Sequence, residues 1–492
     1  MSGPRVGFGR MDFRQVFAAP QRSYGPLEAN FLYLEGADSR ALIVVLDLVQ
    51  LSREFCRRLR RVLGQRLGLT DDEVATHCTH SHPTPEEDDL RAVGVEVFAD
   101  AIAPAARQAI DSAQPVLMEL VQEQVRPRLN VCRRKYLPEI DGSFTVWSGF
   151  FMQGDRPDGG PVVRERLYRL SGREPGPERL AGPVWYEDRA DDLAQLLVFR
   201  PYGRPSGRHR NGSHRPIGSV LRFAAHATAS GHTAESHWGG DYPYFARQAI
   251  ERELGGLCVF LNGPCGDLAP VEHCDWTMVR GEPGSPGPFS PRGYPTGEAA
   301  TAEAKREGEV LAHCVLRTPR LGEKPLALDR ISCLVRNVDL PLRETILDSL
   351  DSVRDAVEEK RQGYERARSD GADLPLLKRL ADEYLHYAYM PLVYEKYYYA
   401  SVDEVRAGRF ACDLPRVELN DILIAGFPGE VCQDATFELR KALARPVITL
   451  TEINGDAGYM APAREFPNGD YEVNCSIIDE TGLRRLIDAH LR

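Results

Sequence analysis

The sequence predicts an α/β protein with a mixed β-sheet core and surrounding helices. Two observations carry this. Apolar runs of strand length recur between stretches whose apolar residues repeat at helical spacing. The 492 residues, 42% hydrophobic and 27% charged, also supply a large core under an ordinary globular surface.

In chain order, Ala41-Leu42-Ile43-Val44-Val45-Leu46-Asp47 reads as a buried strand, and Phe55, Leu59 and Val62 mark the helix after it. A short strand runs through Val74-Ala75-Thr76-His77-Cys78-Thr79 to His80, and a helical pattern covers Val93 to Ile110. Leu193 to Phe199 and Val220 to Ala225 read as strands, Tyr242 to Leu254 as a helix and Leu257 to Leu261 as another strand. Two stretches read as irregular insertions: Arg200 to Pro216, rich in Arg, Gly, Ser and Pro, and Gly281 to Gly297, with five prolines. Residues 343–400 read as helical, with an aromatic-rich end from Tyr384 to Tyr399 that fits a buried helix face. No repeat and no linker stands out, so residues 1–492 are expected to form a single domain.

The net charge of −11 argues against a nucleic-acid partner, because phosphate binding needs a basic face. The basic run Arg57-Arg58-Leu59-Arg60-Arg61 reads as the solvated side of a helix. Met1 to Phe8 lacks the apolar stretch of an export signal, and no run of about 18 apolar residues occurs, so membrane insertion is not expected. Eleven scattered cysteines without a Cys-x-x-Cys pair read as reduced, buried thiols. The expectation is a soluble cytoplasmic protein with a small-molecule partner; a homo-oligomer is compatible with it.

The most informative residues are His80-Ser81-His82. In an extended segment, residues two apart share a face, so His80 and His82 project together and His77 points the other way. Such a pair suits one metal ligand and one neighbouring base, while a solvated strand end is the bland alternative. His226 ends another strand, in Phe223-Ala224-Ala225-His226, and alone fits a satisfied core histidine. Glu430 follows Phe427-Pro428-Gly429, where a strand is expected to turn into a helix whose dipole favours negative charge. The turn Asn262-Gly263-Pro264-Cys265-Gly266-Asp267 permits close backbone approach to a ligand. Asn454 to Tyr459 is followed twelve residues later by Tyr471-Glu472, and a tyrosine can ligate a metal or donate to a developing oxyanion.

Taken in order, these pieces resemble the neutral (non-lysosomal) ceramidase family of zinc amidases. The family's Thr-His-Thr-His-Ser-Gly-Pro resembles Thr79-His80-Ser81-His82-Pro83-Thr84-Pro85, and its His-Pro-Thr-Ser resembles His226-Ala227-Thr228-Ala229. Its Gly-Asp-Val-Ser-Pro-Asn resembles Gly266-Asp267-Leu268-Ala269-Pro270-Val271, and its Pro-Gly-Glu matches Pro428-Gly429-Glu430. Its Asn-x-x-x-x-Tyr with Tyr-Glu twelve residues on matches Asn454, Tyr459 and Tyr471-Glu472. The resemblance spans about residues 5 to 475 and implies a ceramidase-like catalytic domain holding Zn2+ through His80, His226, Glu430 and Tyr459. It also implies amide hydrolysis by a zinc-bound water, with His82 as base and later acid, Tyr471 as oxyanion donor and Asp267 in the catalytic set. Arg133, Asn262 and Gly263 are the candidate substrate-binding residues; Arg134 and the 281–297 insertion are further ones.

The departures refine this. Ala269 stands where the family has a serine proposed as nucleophile, which leaves attack by water. Cys265 is an alternative nucleophile, with a buried thiol the competing reading. A register shifted by two would make Cys78 the first ligand and His80 the base; restoring His-x-His favours the unshifted one. The family's C-terminal immunoglobulin-like domain and its export have no counterpart here, so a substrate smaller or more polar than ceramide is expected. The alternatives are a zinc-dependent ester or lactone hydrolase, an acyl-transfer or cyclising enzyme, and a non-catalytic binding protein.

Overall fold

Among the described residues the apolar runs form three main sheets of four or five strands, each carrying one parallel strand pair bridged by a helix. In the first, β1 (Arg5–Asp12), β2 (Glu28–Glu35), β3 (Arg40–Leu46) and β4 (Val74–Cys78) lie in sequence order. The β3–β4 pair is parallel and joined through α1 (Arg53–Leu67). The second comprises β5 (Val116–Gln124), β6 (Leu193–Pro201), β7 (Gly218–Phe223), β8 (Leu257–Asn262) and the short β9 (Leu326–Ala327), in the order β8-β7-β6-β5-β9. Its parallel pair, β7–β8, is joined by α2 (Asp241–Leu254). The third places β10 (Ile331–Pro341), β11 (Arg409–Leu419), β12 (Ile422–Gly426) and β13 (Val447–Leu450) side by side, with α3 (Asp434–Ala442) joining parallel β12 and β13. This computed structural model describes residues 3–17, 23–137, 142–145, 189–202, 215–231, 238–270, 298–318, 325–347, 349–396 and 401–492, with short pieces at 140, 151–153, 156–158, 170, 278–280, 289–291 and 321.

Period-two alternation assigns each strand face to a core. In β2 and β3, Phe31, Tyr33, Leu42 and Val44 turn to α1 and the helix Val95–Asp111. The intervening Leu32, Leu34, Ile43 and Val45 face a central core shared with Val220 and Val259 of the second sheet and Ile424 and Ile448 of the third. The outer face of the second sheet is covered by α2 and the helix Glu298–Leu316, and that of the third partly by α3 and the helix Gly482–Leu491. A parallel pair needs such a crossover helix, and ligands in α/β sheets gather beyond the carboxyl ends of the parallel strands.

Local signals explain where elements start and stop. Ser52 caps α1 by accepting from the Phe55 N–H (3.1 Å), and Gly68, at φ 73°, ends it in the left-handed conformation that glycine adopts without strain. The helix expected over Val93 to Ile110 is broken at Gly94 into Glu87–Val93 and Val95–Asp111. Within residues 343–400, helices occupy Leu350–Ser369 and Leu374–Lys396. The side chains from residue 392 to 400, including Tyr394 and Tyr397 to Tyr399, lie outside the described residues, as does most of both insertions. The basic run on α1 is not wholly solvated: Arg60 is buried and donates to the carbonyls of Asp71 (2.8 Å) and Val74 (2.8 Å) and to Asp413 (2.8 Å).

Candidate metal centre

Three of the candidate ligands leave from the carboxyl ends of the three parallel pairs. His80 lies two residues past β4, His226 three past β7 and Glu430 four past β12. The expected extended His-x-His does not form: the strand ends at Cys78, and His80 sits at φ 62°. That left-handed residue still turns both rings one way, with the His80 and His82 centroids 4.9 Å apart. The neighbouring loop is locked on by the His82 N–H, which donates to the Ala227 carbonyl (3.1 Å). His226 lies 4.7 Å from His80 and 6.0 Å from His82 between ring centroids. The ligand-capable atoms of these three histidines all fall within 4.8 Å of one another.

Glu430 is not a helix-start carboxylate. It forms a two-residue parallel bridge, Glu430–Val431 against Tyr459–Met460, which places Glu430 directly opposite Tyr459, and α3 begins only at Asp434. Gly429 makes this possible: it sits at φ 72°, and a Cβ there would lie 2.5 Å from the Gly458 carbonyl oxygen. The Glu430 Oε2 stands 3.0 Å from His226 Nε2 and 3.3 Å from His80 Nε2. The Tyr459 hydroxyl is 3.5 Å from His226 Nε2.

The tautomers follow from the partners on the other side of each ring. His80 Nδ1 lies 2.9 Å from the Val49 carbonyl and His226 Nδ1 2.9 Å from the Leu268 carbonyl. A carbonyl only accepts, so both Nδ1 atoms carry hydrogen, and in the neutral ring each Nε2 presents a lone pair. Burial pushes His226 down to about 4, so it is neutral at pH 7. Burial pushes the Glu430 carboxyl up, and positive charge on the His80 and His226 side, a proton at Nε2 or a cation in its place, outweighs that and holds it well below the usual carboxylate range. With both Nε2 atoms unprotonated, two imidazole lone pairs converge on one carboxylate, an arrangement that a cation between them satisfies. Ring N–H bonds to backbone carbonyls are also the usual means of orienting metal-binding histidines. The donor set therefore fits zinc.

Arg133 is buried and fully engaged, donating to Glu472 (2.8 Å), the Gly266 carbonyl (2.7 Å) and the Tyr459 hydroxyl (3.1 Å). Its guanidinium carbon lies 5.7 and 5.8 Å from the ring centroids of Tyr459 and Tyr471, whose own centroids are 5.1 Å apart. Burial raises both phenols well above their ordinary range, which keeps them protonated. Arg134 spans Glu472 (2.8 Å) and Glu465 (3.1 Å). Sequence reasoning gave Glu472 no role, although it follows Tyr471 in the matched motif; it is the buried anion that fixes both arginines. Both arginines, candidate substrate-binding residues from sequence, are buried in this network.

Other candidates have structural jobs. Asn262 donates through Nδ2 to the carbonyls of Thr79 (3.0 Å) and Ala225 (3.0 Å), tying the two histidine loops together. The Gly263 N–H donates to the Phe223 carbonyl (2.8 Å). Asp267 accepts from the Gln433 backbone (2.9 Å) and side-chain amide (2.9 Å), and burial raises its carboxyl to about 6. The geometry thus gives Asn262, Gly263 and Asp267 partners within the chain that account for them. Cys78 packs in the core with Cys56, outside the histidine group, so the shifted register finds no support. Cys265 is fully buried, and burial pushes its thiol well above the ordinary range. Ala269 lies in the short strand Leu268–Pro270, paired with Val131.

Solved structures sharing this architecture include the neutral ceramidase of Pseudomonas aeruginosa, at 15% identity and a TM-score of 0.58, covering 100% of this chain and 74% of that one. A ceramidase complexed with C2 aligns at 16% identity and a TM-score of 0.57, covering 99% of this chain and 74% of that one. No protein-family model and no curated protein sequence matches the chain. The fold is neutral-ceramidase-like.

Proposed function

We propose that this protein is a zinc-dependent amidohydrolase that cleaves an amide bond of a substrate smaller or more polar than ceramide. One observation carries the reading: the Nε2 atoms of buried His80 and His226 converge on the Glu430 carboxylate, with half-buried His82 beside them. The ceramidases that share the fold add the reaction class. His80, His226, Glu430 and Tyr459 hold the metal, which when bound supplies a Lewis acid and lowers the pKa of water.

The chain's own residues supply the proton chemistry. Half-buried His82, beside His80, takes a proton from the attacking water and returns it to the leaving nitrogen. Tyr471, kept protonated by burial, donates its O–H to the tetrahedral oxyanion. Arg133 holds Tyr459 in register. With Ala269 at the serine position and Cys265 sealed in the core, water is the nucleophile. Polar Arg133, Tyr459 and Tyr471 beside the cluster favour the smaller, more polar substrate. The described cysteines are all free thiols, which supports a reducing, cytoplasmic setting. Among the described residues no helix is long and apolar enough to cross a membrane.

Elemental analysis of the purified protein and a panel of N-acyl amides of graded chain length test this. Near-stoichiometric zinc is expected, lost in Glu430→Ala together with activity while the circular dichroism spectrum is kept. Activity in zinc-free protein overturns the metal assignment, and activity surviving His82→Ala overturns the base.

A further inference from the structure

A second cavity lies behind Tyr471. It is a cleft of about 640 Å³ between the helices Leu350–Ser369 and Leu374–Lys396 on one side and the 466–474 segment on the other. That volume matches a small-molecule site. Its cations outnumber its anions, in a protein whose net charge is −11. Four basic residues, Arg343, Lys360, Lys378 and Arg379, line it against two carboxylates, Asp382 and Glu383. Lys378 pairs with Asp382, and Lys360 with Glu383 at 3.2 Å.

Arg343 and Arg379 remain, and neither makes an ion pair among the described residues. Arg343 is pre-positioned: its Nη1 donates to the Val473 carbonyl (2.7 Å), and its guanidinium carbon lies 5.5 Å from the Phe466 ring centroid. Glu480 acts on the Arg343 guanidinium without forming an ion pair and lies outside the cleft lining, so burial still pushes that group down, and its planar fork matches carboxylate and phosphate oxygens. Phe466, Tyr387 and Ile140 add apolar wall to the same cleft.

We propose that this cleft binds a small organic anion, a carboxylate or phosphate head on an apolar or aromatic body, with Arg343 and Arg379 taking the head. The site stands independently of the hydrolase reading. It also touches the metal centre's surroundings. Asp382, on its wall, accepts from the Asn474 side chain (3.1 Å) and the Asp470 N–H (3.3 Å), next to Tyr471. Tyr389 of the same helix meets the Tyr471 ring edge-on at 5.5 Å. A ligand that braces this helix therefore braces Tyr471.

Calorimetric titration of the full chain with 3-phenylpropionate, phenyl phosphate and inorganic phosphate tests the proposal. At least one aryl anion is expected to bind about tenfold more tightly than inorganic phosphate. Arg379→Ala, at an exposed residue, and Arg343→Lys are each expected to weaken that binding about tenfold. His80→Ala leaves it unchanged. Absence of heat with both aryl anions, equal binding of inorganic phosphate, or affinity that survives both arginine substitutions overturns the proposal. Loss of binding in His80→Ala also overturns it, by moving the anion to the metal centre.

Discussion

His77 and His80 stand three residues apart and face opposite fates. Both rings donate Nδ1–H to a backbone carbonyl, His77 to Thr451 at 2.8 Å and His80 to Val49 at 2.9 Å. The difference is on the other side of the ring. His77 Nε2 meets a donor, the Asn262 N–H at 3.1 Å, whereas His80 Nε2 meets an acceptor, the Glu430 carboxylate. His77 is thus satisfied by the protein alone, as a neutral latch between the first and second sheets. His80 in the same tautomer faces a second acceptor, which on the proposed reading a metal completes. A histidine is read as a ligand or a strut from what its second nitrogen faces, and not from its presence in a motif.

The largest effect should fall on the unfinished side. His80→Ala is expected to lower kcat/KM about a thousandfold while the melting temperature changes little, whereas His77→Ala lowers stability. Equal loss of activity in both with neither unfolded would break the distinction. On the latched side, Asn262→Ala leaves the Thr79 carbonyl without its side-chain donor and the Ala225 carbonyl with only the Tyr242 hydroxyl, and should cost about 2 kcal/mol in a urea melt.

Acid sharpens the same contrast. Burial pushes His77 from an ordinary value near 6.5 down to about 4. Above 6.5 both folded and unfolded forms are neutral and the latch is fully present. As pH falls from 6.5 towards 4 the unfolded chain takes the proton first, so stability drops by about 3 kcal/mol. His386 and His490, also held near 4 by burial, pull in the same direction. His77→Gln, which keeps an acceptor for Asn262 without titrating, should flatten the slope by one proton's worth; an unchanged slope would refute the latch.

Smaller effects come from the support around the candidate ligands. Arg133→Lys keeps the charge but loses the fork that joins Glu472, Gly266 and Tyr459, so kcat should fall about tenfold with a smaller change in KM. Cys265→Ala should leave kcat within about twofold, and a larger fall would restore the thiol as a nucleophile.

The alternating sheets and helices were legible because strand and helix periodicities are local. The strand through Leu42 to Leu46, α1 and α2 fall where the apolar patterns put them. What was not legible depends on distant partners. The conformation of His80 is set where its loop meets Ala227, and no local spacing announces φ 62°. Glu430 was read with the helix after it, while a bridge to Tyr459, twenty-nine residues on, fixes it. Arg133 was read as a substrate-binding candidate, while its partner Glu472 lies some 340 residues later in the chain. The order of the motifs, rather than any one of them, carried the resemblance to the fold.

The backbone at His80 has a consequence for anyone improving this protein. A left-handed residue other than glycine gives up about 1 kcal/mol, and His80→Gly recovers part of it. On the proposed reading a glycine accepted there would discard a metal ligand, so any library built for thermostability has to hold position 80 fixed or screen for turnover at every round.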